Sequence, residues 1–137
     1  MSDINRIRSN INNYYNKKKE EYTQYRIQKH NDYWNKYYQD IRWKKLRDYY
    51  RLLHPICEVC EKEGIVVPAE HVHHIHPFSK GLTEEAKYNL LLNPDNLCSV
   101  CKSCHKIIHN IMRQQNKDYV TIDEAVQYKQ QYDINSL

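Results

Sequence analysis

Two C-x-x-C knuckles, Cys57-x-x-Cys60 and Cys101-x-x-Cys104, constrain this chain more than any other feature. They stand 40 residues apart, from Glu61 to Val100. That is the composition of an all-cysteine zinc site, in which two tight turns converge on one tetrahedral ion. The fifth cysteine, Cys98, creates a competing knuckle, Cys98-x-x-Cys101. An odd cysteine count, the knuckle spacing and the lack of an export signal favour reduced, metal-bound thiols over disulfides.

A metal is also what the composition calls for. At 137 residues the chain is one modest domain with an appendage. Only 40% of it is apolar by a count that includes 13 tyrosines, and the mean hydropathy is −0.96, so the core must be small. Structural zinc contributes roughly 10 to 16 kcal/mol in small domains, more than a typical net folding stability. No apolar run approaches the ~18 residues of a membrane span. The expectation is a soluble, cytoplasmic protein without a membrane partner.

The histidines form a second set. His105 and His109 lie four apart in a stretch that reads as helix, so both rings leave one face about a turn from each other. If His73 supplies a third nitrogen, the ion keeps an open position, as catalytic sites do and structural ones do not. His74 would then stand beside the ion without binding it, an imidazole able to take a proton near neutral pH. His71 and His76 read as surface or supporting residues, and His30 and His54 as bystanders, since metal sites use three or four protein ligands.

The formal charge of +4 is uneven. Residues 1–50 carry a net +6 and residues 51–137 a net −2, so the N-terminal half is the expected contact for a polyanion. Arg42, Lys44, Lys45, Arg47 and Arg51, interleaved with Trp43 and Tyr49, suit phosphate contact, while Trp43 and Leu46 read as core.

Coarse periodicity divides the chain into a basic, tyrosine-rich helical extension (1–53), a central metal-bound domain (54–116) and a C-terminal helix with its tail (117–137). From Asp32 the stripe Trp34, Tyr38, Ile41, Tyr49, Leu53 predicts a helix ending before Pro55. Ile65-Val66-Val67 reads as a short β segment and Glu70–Ile75 as a second strand. Strict alternation puts His73 and His74 on opposite faces, so both serve one site only if the strand ends there with a twist or bend. Thr83-Glu84-Glu85 predicts a capped short helix, and Thr121-x-x-Glu124 a capping box.

From Trp43 to His109, about half the chain, the residues resemble the HNH endonuclease family. The resemblance is carried by Trp43-Lys44-Lys45-Leu46-Arg47, His54-Pro55-Ile56-Cys57-Glu58-x-Cys60, Val72-His73-His74-Ile75-His76-Pro77, Asn96-Leu97 and Cys101-Lys102-Ser103-Cys104-His105. It is strongest to the HNH proteins of tailed bacteriophages. It implies a small α+β fold, a ββα-metal core stapled by a four-cysteine zinc site, and metal-dependent hydrolysis of DNA phosphodiester bonds that leaves 5′-phosphate and 3′-hydroxyl ends. It makes His74 the general base and Asn96 the residue that ties the loop and holds His74 at its working angle. His73, His105 and His109 become ligands of the catalytic ion. It also favours Cys101/Cys104 as the second knuckle, since Cys104 adjoins His105, leaving Cys98 a small buried hydrophobe.

The catalytic ion implied is zinc, nickel, manganese or magnesium. Where many phage members have Asp, this chain has His73, as colicin-type nucleases do, and an all-imidazole set leans toward softer ions and away from magnesium. DNA is the expected partner, with phage terminase subunits a further candidate. The competing expectation is a zinc-stabilised nucleic-acid-binding or packaging-accessory module with little cleavage of its own.

Overall fold

The computed structural model describes residues 2–132. By internal contact it divides into two units, Met1–Gln39 and Asp40–Leu137. The first is a single helix, α1 (Asp3–Tyr38), capped by the Ser2 hydroxyl, which accepts from the Asn5 N–H. The run Lys17–Glu21 does not break it. Its side chains are mostly exposed, Ile4, Ile7 and Ile11 among them, so local pairs support it. Lys18 reaches Glu21 at 3.5 Å, Gln28 donates to Asp32, and Lys18, Arg26 and Lys29 sit 5.7–6.0 Å from the rings of Tyr14, Tyr22 and Tyr25.

In the second unit, α2 (Ile41–Leu53) starts at Asp40, whose carboxylate accepts from the Arg42 N–H at 2.8 Å, and it ends before Pro55 as the sequence requires. Its buried face is Trp43 and Tyr50, with Leu46 and Arg47 partly covered between them. The expected stripe is thereby corrected: Ile41, Tyr49 and Leu53 are more than half exposed. Asp40 resets the helical phase, so a periodicity counted from Asp32 runs off the true face. The Tyr50 hydroxyl lies 2.8 Å from Glu58 Oε2 and 2.9 Å from the Leu97 carbonyl. These two bonds tie α2 to the first knuckle and to Leu97.

The first knuckle forms α3 (Glu58–Lys62), followed by a turn in which Gly64 takes the left-handed φ of 75°. Ile65–Val67 is not a strand; only an isolated bridge pairs Ile56 with Pro68. The sheet instead pairs β1 (His71–His74) antiparallel with β2 (Leu97–Val100), in the register His71 to Val100, His73 to Cys98 and His74 to Leu97. A 3₁₀ turn (Phe78–Lys80) leads to α4 (Glu84–Leu91), capped by Thr83 as expected. Gly81 lies between them, where a Cβ would fall 2.6 Å from the Lys87 nitrogen. A second 3₁₀ turn (Pro94–Asn96) precedes β2.

α5 (Lys102–Gln114) follows β2 directly and packs against β1, completing two strands and a helix. α6 (Ile122–Gln131) opens with the expected capping box, Thr121 and Glu124 bonding reciprocally. It packs on α3 and α5. Residues 133–137 of the expected tail lie outside the described residues. The core joins Val59, Val100, Ile107, Ile108, Ile111 and Val120 to the cysteines. The helical period of α5 turns its isoleucines inward while His105 and His109 face β1.

Candidate functional site

Cys57 and Cys60 flank the start of α3, and Cys101 and Cys104 flank the start of α5. All four are buried free thiols with sulfurs within 4.8 Å of one another. Cys60 Sγ and Cys104 Sγ are 3.6 Å apart. A disulfide needs about 2.05 Å, whereas two thiolates on one tetrahedral zinc stand about 3.8 Å apart, from a Zn–S bond of ~2.3 Å. The donor set therefore fits a metal. A hydrogen bond from Cys104, opposed by burial, holds the Cys57 thiol well below the usual thiol range, while burial pushes Cys60 above it. Four sulfurs this close ionise together only around a cation. Cys98, on β2, lies outside the group, and burial pushes its thiol up to about 12.

The second cluster gathers His73 from β1 with His105 and His109 from α5, one ring nitrogen of each within 4.8 Å of the others. The Nε2 atoms of His105 and His109 are 3.1 Å apart. Burial, reinforced by the neighbouring imidazoles of His105, His109 and His74, holds His73 down to about 3. Burial and the adjacent His109 and His71 lower His105 as well. Neutral rings keep the lone pairs that a metal requires. His73 Nε2 is buried without a hydrogen-bond partner, a state that costs about 1–3 kcal/mol unless something absent from the protein atoms satisfies it. The three rings fit a divalent ion. His73 is buried, His105 half-buried and His109 exposed, so the cluster opens on one side.

β1 ends at His74 and the chain bends at Ile75 and His76. The His74 ring lies between Trp43 (4.4 Å between centroids) and Phe78 (5.2 Å). Its Nε2 is 3.1 Å from the Leu91 carbonyl. A carbonyl only accepts, so Nε2 carries the hydrogen and Nδ1 keeps the lone pair. Burial lowers the His74 pKa, partly offset by that bond, and leaves the ring neutral and able to accept a proton. Asn96, buried at the end of the 3₁₀ turn before β2, donates to the carbonyls of His76 (2.9 Å) and Leu90 (3.0 Å) and accepts from the His76 N–H (2.8 Å). Its side chain thus ties the turn after His74 to the end of α4.

The α2 cations are largely engaged within the protein. Arg42 is held by both oxygens of Asp40, Arg47 bonds Asp48, and Arg51 donates to the Glu70 carbonyl. Lys44 is partly covered and Lys45 is exposed. His71 takes the supporting place that the sequence allowed it, whereas Lys129 and the cleft cations carry no sequence signal. His71 stacks on His105 at 4.8 Å, and Lys129 enters the cysteine cluster from α6. An open cleft of about 680 Å³ beside His109 is lined by Lys80, Arg113 and Lys117, each alone in sequence among uncharged or opposite-charge neighbours.

A family model for HNH endonucleases matches residues 57–110, the stretch holding both knuckles, His73, His74, Asn96, His105 and His109. Among solved structures, the crystal structure of an HNH endonuclease with manganese ion from the deep-sea thermophilic bacteriophage GVE2 is similar at 26% identity and a TM-score of 0.49. The match covers 69% of this chain and 95% of that one. No curated protein matches the chain.

Proposed function

We propose, from the match of residues 57–110 to the HNH endonuclease family, that this chain is a metal-dependent endonuclease that hydrolyses phosphodiester bonds in DNA. The observation that carries the reading is the open cluster of His73, His105 and His109 around the unpartnered, buried Nε2 of His73. These three residues hold the catalytic divalent ion, which supplies charge neutralisation at the scissile phosphate. His74 accepts a proton at Nδ1 from the water that attacks phosphorus in line. Trp43, Phe78 and the Leu91 carbonyl fix its ring, and Asn96 holds the turn that follows it. The products carry 5′-phosphate and 3′-hydroxyl ends.

Zinc occupies the four-cysteine cluster and holds α3 to the start of α5. Contact with DNA runs mainly through the cations of the cleft beside His109, since those of α2 are largely engaged within the protein, and through phosphates rather than bases, so the site itself has no sequence preference. Among the described residues no helix is long and apolar enough to cross a membrane. A role beside phage genome packaging, with terminase subunits as partners, extends the same proposal.

The test is nicking of supercoiled plasmid across a panel of zinc, nickel, cobalt, manganese and magnesium. Metal-dependent nicking that disappears in His105→Ala is expected. DNA binding without nicking under every ion would overturn the enzyme reading in favour of the accessory module.

A further inference from the structure

Lys129, on α6, lies outside the matched residues 57–110. It is 3% exposed, the one buried lysine or arginine among the described residues. A lysine on a helix surface normally carries its ammonium out to water along its flexible stem. Here the ammonium points inward. Its nitrogen is 2.6 Å from Glu63 Oε1, 3.4 Å from Cys104 Sγ and 3.7 Å from Cys60 Sγ. An ammonium has three donors, and these are three acceptors. Glu63, which ends α3, explains one of them as an ion pair. It does not explain the two sulfurs. A thiol is a weak acceptor, whereas a thiolate draws a charge-assisted hydrogen bond, and both sulfurs belong to the four-cysteine cluster, one from each knuckle.

We propose that Lys129 is a positioning residue for the ion of the four-cysteine cluster: it donates to the sulfurs of Cys60 and Cys104 while Glu63 anchors it, so that docking of α6 and retention of the ion support each other. The inference rests on the reading of that cluster as a zinc site. Four thiolates around a divalent ion carry a net charge of −2, and an ammonium against two of them withdraws charge where it is most concentrated. The effect is reciprocal. If the loaded cluster favours docked α6, docked α6 must favour the loaded cluster by the same factor. Loss of the ion would leave a buried ammonium with one carboxylate and two weakly accepting thiols, and α6 would loosen from α3.

The experiment uses the full chain with its zinc, and with cobalt(II) as a spectroscopic replacement. Zinc content is measured first, then zinc release into a chelator, the sulfur-to-cobalt charge-transfer absorption, and hydrogen exchange in α6 with and without metal. Lys129→Met removes the donors and keeps the aliphatic stem. Lys129→Gln restores a neutral N–H. Ala125→Gly weakens α6 at a buried position that offers no side-chain donor to a sulfur.

Lys129→Met is expected to release zinc roughly 10- to 100-fold faster, the usual consequence of losing a partner behind the ligands, with Lys129→Gln between it and wild type. The cobalt band should move to lower energy in Lys129→Met, because an N–H donor stabilises the sulfur lone pairs that feed it, and stay in place in Ala125→Gly. If Lys129→Met does not fold, the band and release rate of Lys129→Gln decide. Wild-type release with an unmoved band would overturn the proposal, as would identical behaviour of the lysine and alanine variants. Wild-type protein that binds no zinc would instead overturn the zinc reading, and this inference with it.

Discussion

The two donor clusters share α5, where Cys104 and His105 are neighbours in the first turn, and are treated in opposite ways. The cysteine sulfurs and the histidine nitrogens each converge within 4.8 Å. Every cysteine is buried and packed into the aliphatic core, with Lys129 closing one side. The histidines run from buried His73 to exposed His109, and beyond His109 lies an open cleft. Each set also matches its setting chemically. Thiolates satisfy an ion's coordination fully and can be sealed in, whereas three imidazoles leave a position that must face the solvent to be used. A sealed site contributes to stability, and an open one to chemistry, so substitutions in the two clusters should fail in different ways.

The largest effect is expected at the sealed site. Cys57→Ser removes a ligand whose ion is worth roughly 10 to 16 kcal/mol in small zinc domains, while the aliphatic core around it is only a handful of Val and Ile side chains. Cooperative thermal unfolding should disappear, and chelation of the wild type should reproduce the loss. A Cys57→Ser protein that melts like wild type would erase the contrast between the clusters.

At the open site the fold should survive and the chemistry should not. His105→Ala should lose the catalytic ion while keeping the zinc and the cooperative melt. His74→Ala should keep both ions and bind DNA almost normally, yet cleave slower by the ~10²- to 10⁴-fold typical of a missing general base. Nicking rate at saturating metal, beside metal content after dialysis, separates them. Ion loss in His74→Ala would make His74 a ligand and require another base.

How far this contrast is legible in the sequence depends on whether the signal is local. The knuckles, the pair His105 and His109, the stop at Pro55 and the caps at Thr83 and Thr121 depend on neighbours within a turn, and all of them can be read there. β2 cannot: Leu97–Val100 is buried at every position, so the alternation that marks a strand is absent. Ile65–Val67 carries the stronger local β signal, being β-branched throughout, yet it has no partner strand. The buried face of α2 depends on a break at Asp40 that periodicity alone does not announce. Lys129 is the extreme case, a lysine among Gln and Tyr that any local rule assigns to the surface. Its sulfur partners lie 25 and 69 residues away.

Asn96 lies between the two behaviours and should give an intermediate effect. Asn96→Ala deletes three hydrogen bonds around the turn after His74, worth about 3 kcal/mol together at ~1 kcal/mol each. The midpoint of unfolding should fall while both ions remain, and nicking should slow because His74 is less well held. Unchanged stability with full activity would remove Asn96 from the site.

The smallest effect tests whether the histidine cluster is open because DNA enters there. Lys80 lines the cleft beside His109 and makes only a loose, exposed ion pair with Asp118 at 3.8 Å, so its charge remains available to a phosphate. Arg42, by contrast, is already held by both oxygens of Asp40, with bonds of 3.1 and 2.8 Å, and Asp40 itself is held down to about 2 by that hydrogen bond. A phosphate would have to break two hydrogen bonds to a carboxylate at Arg42 but only a loose, solvent-screened ion pair at Lys80. Removing one cation that neutralises a phosphate flattens the dependence of log affinity on log salt by ~0.9 for duplex DNA. Lys80→Ala should therefore approach that change and Arg42→Ala should fall well short of it, with zinc content and melting unaltered in both. Binding titrations at several salt concentrations measure the slopes. The reverse order would put the DNA on α2 and leave the opening beside His109 without a role in substrate entry.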